Sequence, residues 1–142
     1  MQNYSVNGTS ILILRLMVSG IFIVAGTNHL LFTDKVLNRL NHAPMLNFAS
    51  SFGNPETLIM ISGRAMLLGG IALLFGILTR WAALGLILVL VPITISVQFG
   101  QWSTAGPLFK NIAILGVLLF FVINGSVVYG LDQFKRKKIT TP

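Results

Sequence analysis

Residues 11–32 read ILILRLMVSGIFIVAGTNHLLF, 22 consecutive positions that hold one formal charge, Arg15. As an α-helix rising about 1.5 Å per residue the run is roughly 33 Å long, against a bilayer hydrocarbon core of about 30 Å. A lipid-exposed segment of this kind must be helical, because its backbone N–H and C=O groups have to be satisfied within the segment. Arg15, Ser19, Phe22, Gly26 and His29 step along it by four, three, four and three, which collects them on one face. A guanidinium, a hydroxyl and an imidazole are poor neighbours for lipid, so this face is predicted to turn inward.

Three more apolar runs follow, at about 56–78, 81–98 and 108–129. With 54% hydrophobic residues, 9% charged residues and a mean hydropathy of +0.84, the 142-residue chain has more apolar surface than a soluble core of that size can bury. The expected fold is therefore an all-α membrane protein. It is a four transmembrane helix bundle with both termini on the same side, forming one domain over residues 1–142 with a basic tail at 133–142. The lipid bilayer is its first partner. The net charge of +7 does not point to nucleic acid, because the basic residues sit in or beside apolar runs or in that tail. Absence of cysteine removes disulfides, thiol relays and Cys-ligated zinc or iron–sulfur groups. No Gly-rich phosphate loop, paired carboxylates or nucleophile elbow suggests hydrolase or nucleotide chemistry.

Several local readings follow. The N-terminal decapeptide lacks a basic region and the first apolar run is too long for a cleaved signal, so the segment is expected to be retained. Asn7-Gly8-Thr9 spells a glycosylation acceptor, a triplet common by chance. Asp34 to Leu40 is predicted to form a short amphipathic helix with Val36, Leu37 and Leu40 turned to lipid, between breaker clusters at His42-Ala43-Pro44 and Gly53-Asn54-Pro55. Ser62, Ala65, Gly69, Ala72 and Gly76 form a small-residue stripe at heptad spacing, a helix-packing face. Thr79-Arg80 leaves little room for a loop, so the second and third spans form a tight antiparallel hairpin. Pro92 is expected to kink the third span, Thr94 and Gln98 share a face, and Trp102 anchors a turn at the interface. In the fourth span Lys110, Ala113, Val117, Phe120 and Asn124 share a face.

Lys and Arg counted beside the spans place both termini in the cytoplasm. That side would carry Arg80 and the Lys135-Arg136-Lys137-Lys138 tail, with Arg15 near it, against Lys35, Arg39 and Lys110 opposite. Depth then separates an outer layer (Asn28, His29, Glu56, Arg64, Gln98, Lys110, Asn111) from an inner one (Arg15, Arg80, Asn124, Asp132). The candidate ligand site is the outer group His29, Arg64, Asn28, Gln98 and Lys110. Arg64 is predicted to face the bundle, satisfied by Glu56, Asn28 or Gln98. Inner polar contacts are expected among Arg15, Asn124 and Asp132, with Arg15 either snorkelling, pairing with Asp132 or holding an anion. His29 can serve a quinone carbonyl or a proton path, or can be an interfacial histidine bonded to local backbone. With His42 the only other histidine, no metal site is assigned.

Arg15-Leu16 followed by Gly20-Ile21-Phe22-Ile23-Val24-Ala25-Gly26, then Leu67-Leu68-Gly69-Gly70 continuing to Leu78-Thr79-Arg80-Trp81, then Lys110-Asn111, Gly116, Asn124-Gly125-Ser126 and Leu131-Asp132, resemble the DoxX family of small four-helix bacterial and archaeal membrane proteins. The resemblance runs from Ile11 to Asp132. It implies a prokaryotic cytoplasmic membrane protein that serves as a small subunit or partner of a redox system; the family's namesake resembles a subunit of an archaeal thiosulfate:quinone oxidoreductase. The sequence departs from the family pattern at His29, where a Lys is common, and at Met66, where a Glu is common.

Together the outer polar layer and the resemblance make a quinone the expected cofactor and redox proteins the expected partners, with oligomerisation open. The ring would lie near His29 and Arg64, where Arg64 stabilises a quinol anion and His29 moves a proton. A non-enzymatic scaffold is the alternative, and a small-solute transporter a third reading that lacks an inverted repeat.

Overall fold

The computed structural model describes residues 7–43, 46–98, 102–126 and 129–131, without the side chains of Leu46, Ala49 and Trp102. Pro44, Gly100, Asp132 and the basic tail at 133–142 lie outside the described residues, as does the side chain of Trp102.

Helix α1 (Gly8–Leu31) starts where Asn7, in extended conformation, accepts the Thr9 N–H at 3.0 Å through its side-chain oxygen. The triplet that spells a glycosylation acceptor is thus a helix N-cap, satisfying one of the donors that open every helix. α1 stops at Phe32, and α2 (Thr33–Asn41) begins at once, with Thr33 Oγ1 donating to the His29 carbonyl at 2.9 Å. The short α3 (Leu46–Ser50) leads to α4 (Pro55–Phe75). Here Asn54 caps Glu56 N and Pro55 occupies the first turn, where its missing N–H costs nothing.

α4 ends three residues before the expected Leu78. Gly76 adopts the left-handed conformation (φ 64°, ψ 41°), its N–H reaches Leu73 O, and Ile77 N–H reaches Ala72 O at 2.8 Å, a Schellman closure that spends a glycine where any Cβ would be strained. Thr79 already opens α5 (Thr79–Gln98), so the hairpin is as tight as the sequence implied. α5 runs on through Pro92 without breaking, and Ser96 Oγ–H donates to the Pro92 carbonyl at 2.8 Å. A 3₁₀ turn (Trp102–Thr104) precedes α6 (Ala105–Asn124), which begins earlier and stops sooner than the expected 108–129, ending at Gly125 with φ 70°.

The four long helices, of 24, 21, 20 and 20 residues, are each long and apolar enough to cross a membrane. α4 is the central one, packing against α1 on one side and α5 on the other, while α6 packs on α5 and touches α1 only lightly. α1 is tied to the segment after α6, since Arg15 Nη2 donates to the Tyr129 carbonyl at 2.7 Å. The other end of the bundle, where α1 stops, is covered by α2.

The predicted inward face of α1 is correct: Arg15, Ser19, Phe22 and Gly26 are buried together with Ile11 and Val18. On α4 the buried positions are Ile59, Gly63, Met66, Gly70 and Leu73, one residue on from the predicted stripe. The glycines explain why. A Cβ on Gly26 would lie 2.7 Å from Leu67 N and 2.8 Å from Gly63 O, and one on Gly70 would lie 3.1 Å from Ile23 N. A Cβ on Gly69 would instead lie 2.8 Å from Leu86 Cδ2 of α5. The Gly69-Gly70 pair thus serves two neighbours at once, Gly70 admitting α1 and Gly69 admitting α5. Helices without a hydrophobic drive to associate gain contact through such close approach. On α6 the buried residues are Asn111, Ile114, Leu118 and Phe121, again one residue on from the expected set, with Lys110 and Asn124 exposed. Phe22, Met66, Leu73, Leu86, Leu90, Ile114, Leu118 and Phe121 belong to one apolar core.

α2 corrects a further expectation. Its apolar side does not face lipid: Leu40 is buried against Ile59 of α4, and Val36, Leu37 and Val97 of α5 pack on the same cluster. The start of α4 and the end of α5 offer an apolar surface that α2 covers, so the helix is a roof over the bundle.

Candidate functional site

Beneath that roof, where α1 and α6 make little contact, lies a cavity of about 870 Å³. Its walls come from the second half of α1, from α2, from the first half of α4, from the second half of α5 and from the start of α6. Most of the surface is aliphatic or aromatic, with Phe22, Met66, Leu90, Ile93 and Ile114 at its deeper side and Phe52 contributing from the loop before α4. Phe52 is held edge to face on Phe48, with centroids 5.1 Å apart. The volume lies in the range of sites for small organic ligands, which are also mainly apolar with few polar groups.

Of the five residues predicted for a ligand site, the structure brings four to this cavity: Asn28, His29, Gln98 and Lys110. Arg64 is the exception. It is exposed on the outside of α4 and is absent from the cavity wall, because the buried face of α4 passes through Gly63 and Met66 on either side of it. Glu56, one of its expected partners, is likewise exposed. Sequence reasoning also missed Arg39, which reaches the cavity from the last turn of α2 and is visible in the chain only once α2 is known to fold back over the bundle.

His29 is oriented by the neighbouring helix, not by local backbone. Its Nδ1 lies 3.0 Å from Ser62 Oγ, and Ser62 Oγ–H donates to the Ile59 carbonyl at 2.9 Å. Gly63 makes the approach possible, since a Cβ there would sit 2.8 Å from His29 Cβ. Asn111 is buried and donates through Nδ2 to Thr94 Oγ1 at 2.9 Å, while Thr94 Oγ1–H donates to the Leu90 carbonyl at 2.7 Å. That chain ties α6 to α5 beside the cavity. By contrast, Gln98 Oε1 is buried without a hydrogen-bond partner. Arg39 and Lys110 bring two positive charges to the wall, and among the described residues no Asp or Glu lines it. Among the described residues no group of three His, Asp or Glu side chains gathers as metal ligands.

The polar residues of the other end behave differently. Arg15 is 2% exposed, which rules out snorkelling. Its guanidinium bonds the Tyr129 carbonyl and packs on Gly76, whose added Cβ would lie 2.8 Å from Arg15 Nη1. Asn124 is exposed and donates to the Phe120 carbonyl one turn back at 2.9 Å, so it is not a partner of Arg15. Asp132 lies outside the described residues. Arg15 thus fastens the start of α1 to the segment after α6 across the α4–α5 turn.

No curated protein and no solved structure matches the chain. The DoxX family model matches residues 10–98, the stretch from the start of α1 to the end of α5 that supplies most of the cavity wall. That match spans well over half of the 142 residues, and the chain is a member of the DoxX family of membrane proteins.

Proposed function

We propose that this DoxX protein is the membrane subunit of a quinone-linked redox system and seats a quinone in the cavity beneath α2. The observation that carries the reading is one apolar cavity of ligand size in which the buried Oε1 of Gln98 has no hydrogen-bond partner among the described residues and His29 stands on the wall. Buried polar atoms are nearly always satisfied, so one left open in an otherwise apolar pocket fits a ligand with polar groups on an apolar body. A quinone has that form, with oxygens for the polar atoms and a tail for the apolar wall. Lys110 and Arg39 take the place that the sequence assigned to Arg64, supplying positive charge beside any anionic form of the ring. His29 is the residue able to hold or move a proton there. The chain has no cysteine and no thiol pair of its own, so electrons would pass between the ring and a redox partner protein docked on the bundle.

Binding is the test. The full chain in lipid nanodiscs is expected to take up a decyl-benzoquinone saturably, and Ile93→Trp, which sets a larger side chain in the cavity wall, is expected to weaken uptake while leaving the helical circular dichroism intact. Uptake that is non-saturable, or unchanged in Ile93→Trp, would contradict the reading.

The same proposal places both termini in the cytoplasm, with α2 and the cavity at the opposite face of a prokaryotic inner membrane. This follows from the Lys and Arg flanking the spans. A C-terminal fusion to a reporter active only outside the cytoplasm is expected to stay silent.

A further inference from the structure

We infer that the tail of the bound quinone leaves the cavity sideways into the bilayer, between α1 and α6 at the level of Gly20, with the ring held at the α2 end. The inference rests on the quinone-binding reading above. The cavity wall changes character along its length. Asn28, Arg39, Gln98 and Lys110 lie toward the end of the bundle that α2 covers. Further in, the wall is Gly20, Ile21 and Val24 of α1, Leu90 of α5 and Ile114 of α6, each near the middle of its helix. One end can bond ring oxygens and carries positive charge, and the other offers only apolar contact.

The apolar end is open on one side. The face of α1 that carries Gly26 is closed on α4, where an added Cβ would lie 2.7 Å from Leu67 N. The face that carries Gly20, Ile21 and Val24 is not. Nothing lies within 4 Å of a Cβ built on Gly20, and Ile21 and Val24 are 44% and 61% exposed although they line the cavity. α6, which stands across the cavity from this face, touches α1 only lightly. Half-way along a membrane-spanning helix the medium outside such a gap is hydrocarbon. A tail passing there moves from apolar wall to lipid without loss. A tail turned out at the α2 end, past the exposed Phe52 and Ile61, meets the interface and water instead. The cavity is thereby suited to a tailed quinone dissolved in the bilayer, and Gly20 is a specificity residue whose missing side chain leaves the gap unfilled.

The test irradiates the full chain in lipid nanodiscs with decyl-benzoquinone carrying a diazirine at mid-tail, with and without excess unlabelled decyl-benzoquinone, and maps the labelled residues. Competable labelling is expected between Gly20 and Val24 or at Ile114. In a second arm Gly20→Phe, with the helical circular dichroism unchanged, is expected to weaken retention of decyl-benzoquinone about tenfold, as one overpacked contact does, and to leave a tailless dimethoxy-methyl-benzoquinone within about twofold. Competable labelling at Phe52 or Ile61 instead, or a Gly20→Phe chain that weakens neither ligand or both alike, overturns the sideways exit while the quinone reading stands. Absence of saturable decyl-benzoquinone binding to the wild-type chain overturns both.

Discussion

Gly26→Ala adds one methyl group where α1 crosses α4, and the structure fixes what it meets. The new Cβ would lie 2.7 Å from Leu67 N and 2.8 Å from Gly63 O, whereas ordinary contact begins at 3.4 Å. Both atoms are backbone, so no rotamer change relieves the overlap and the two helices must part by roughly 0.7 Å, the larger of those shortfalls. Overpacking of this kind costs about 1–3 kcal/mol, offset by the up to about 1 kcal/mol that alanine gains over glycine in a helix. With the full offset the net expectation is a loss of up to about 2 kcal/mol. Gly116→Ala on α6 is the matched control, since nothing lies within 4 Å of its added Cβ and only the propensity gain of about 0.5–1 kcal/mol remains. The assay is reversible unfolding in mixed micelles titrated with denaturing detergent, followed by circular dichroism. Opposite signs for the two variants are predicted. A Gly26→Ala protein as stable as Gly116→Ala would refute the close crossing of α1 and α4.

Two other substitutions probe the polar contacts by the same unfolding assay. Thr94→Val removes the acceptor for the buried Asn111 amide and is expected to destabilise by about 1–3 kcal/mol, with Asn111→Leu in the same background recovering part of the loss. A double-mutant cycle measures this coupling, and strict additivity would contradict it. Arg15→Met deletes a charged donor to the Tyr129 carbonyl and is expected to cost about 1.5–3 kcal/mol, with Arg15→Lys restoring only part because a point charge cannot copy the guanidinium fork. Equal stability of Arg15→Met and wild type would remove Arg15 as the fastener of α1 to the segment after α6.

How much of this was legible in the chain differs from helix to helix, for physical reasons. The inward face of α1 is readable because Arg15, Ser19 and Gly26 stand out in an apolar background. α4 and α6 lack that contrast. In lipid both the buried and the exposed sides are apolar, so the polar–apolar period that orients a soluble helix is absent. Leu68 is exposed while Leu73 is fully buried. The adjacent Gly69 and Gly70 allow two registers, of which the sequence cannot choose one because both are used, for different neighbours. A one-residue error in phase is about 100° of rotation on a helix. It was enough to bring Arg64 inward on paper and leave Asn111 outside the candidate site. α2 shows a related ambiguity, since an apolar stripe facing lipid and one facing the ends of α4 and α5 read alike. The cavity has no signature in the chain at all: its wall is assembled from five helices, a property of packing between segments far apart in sequence.

That the α2-covered cavity holds one quinone-type molecule is tested most directly by native mass spectrometry of the full chain released gently from its own membrane. The account predicts a population carrying a single quinone or quinol. That population should weaken in Ile93→Trp and in the His29→Ala/Gln98→Leu double variant. Wild-type protein that carries only phospholipid, or a quinone that persists undiminished in both variants, would contradict it.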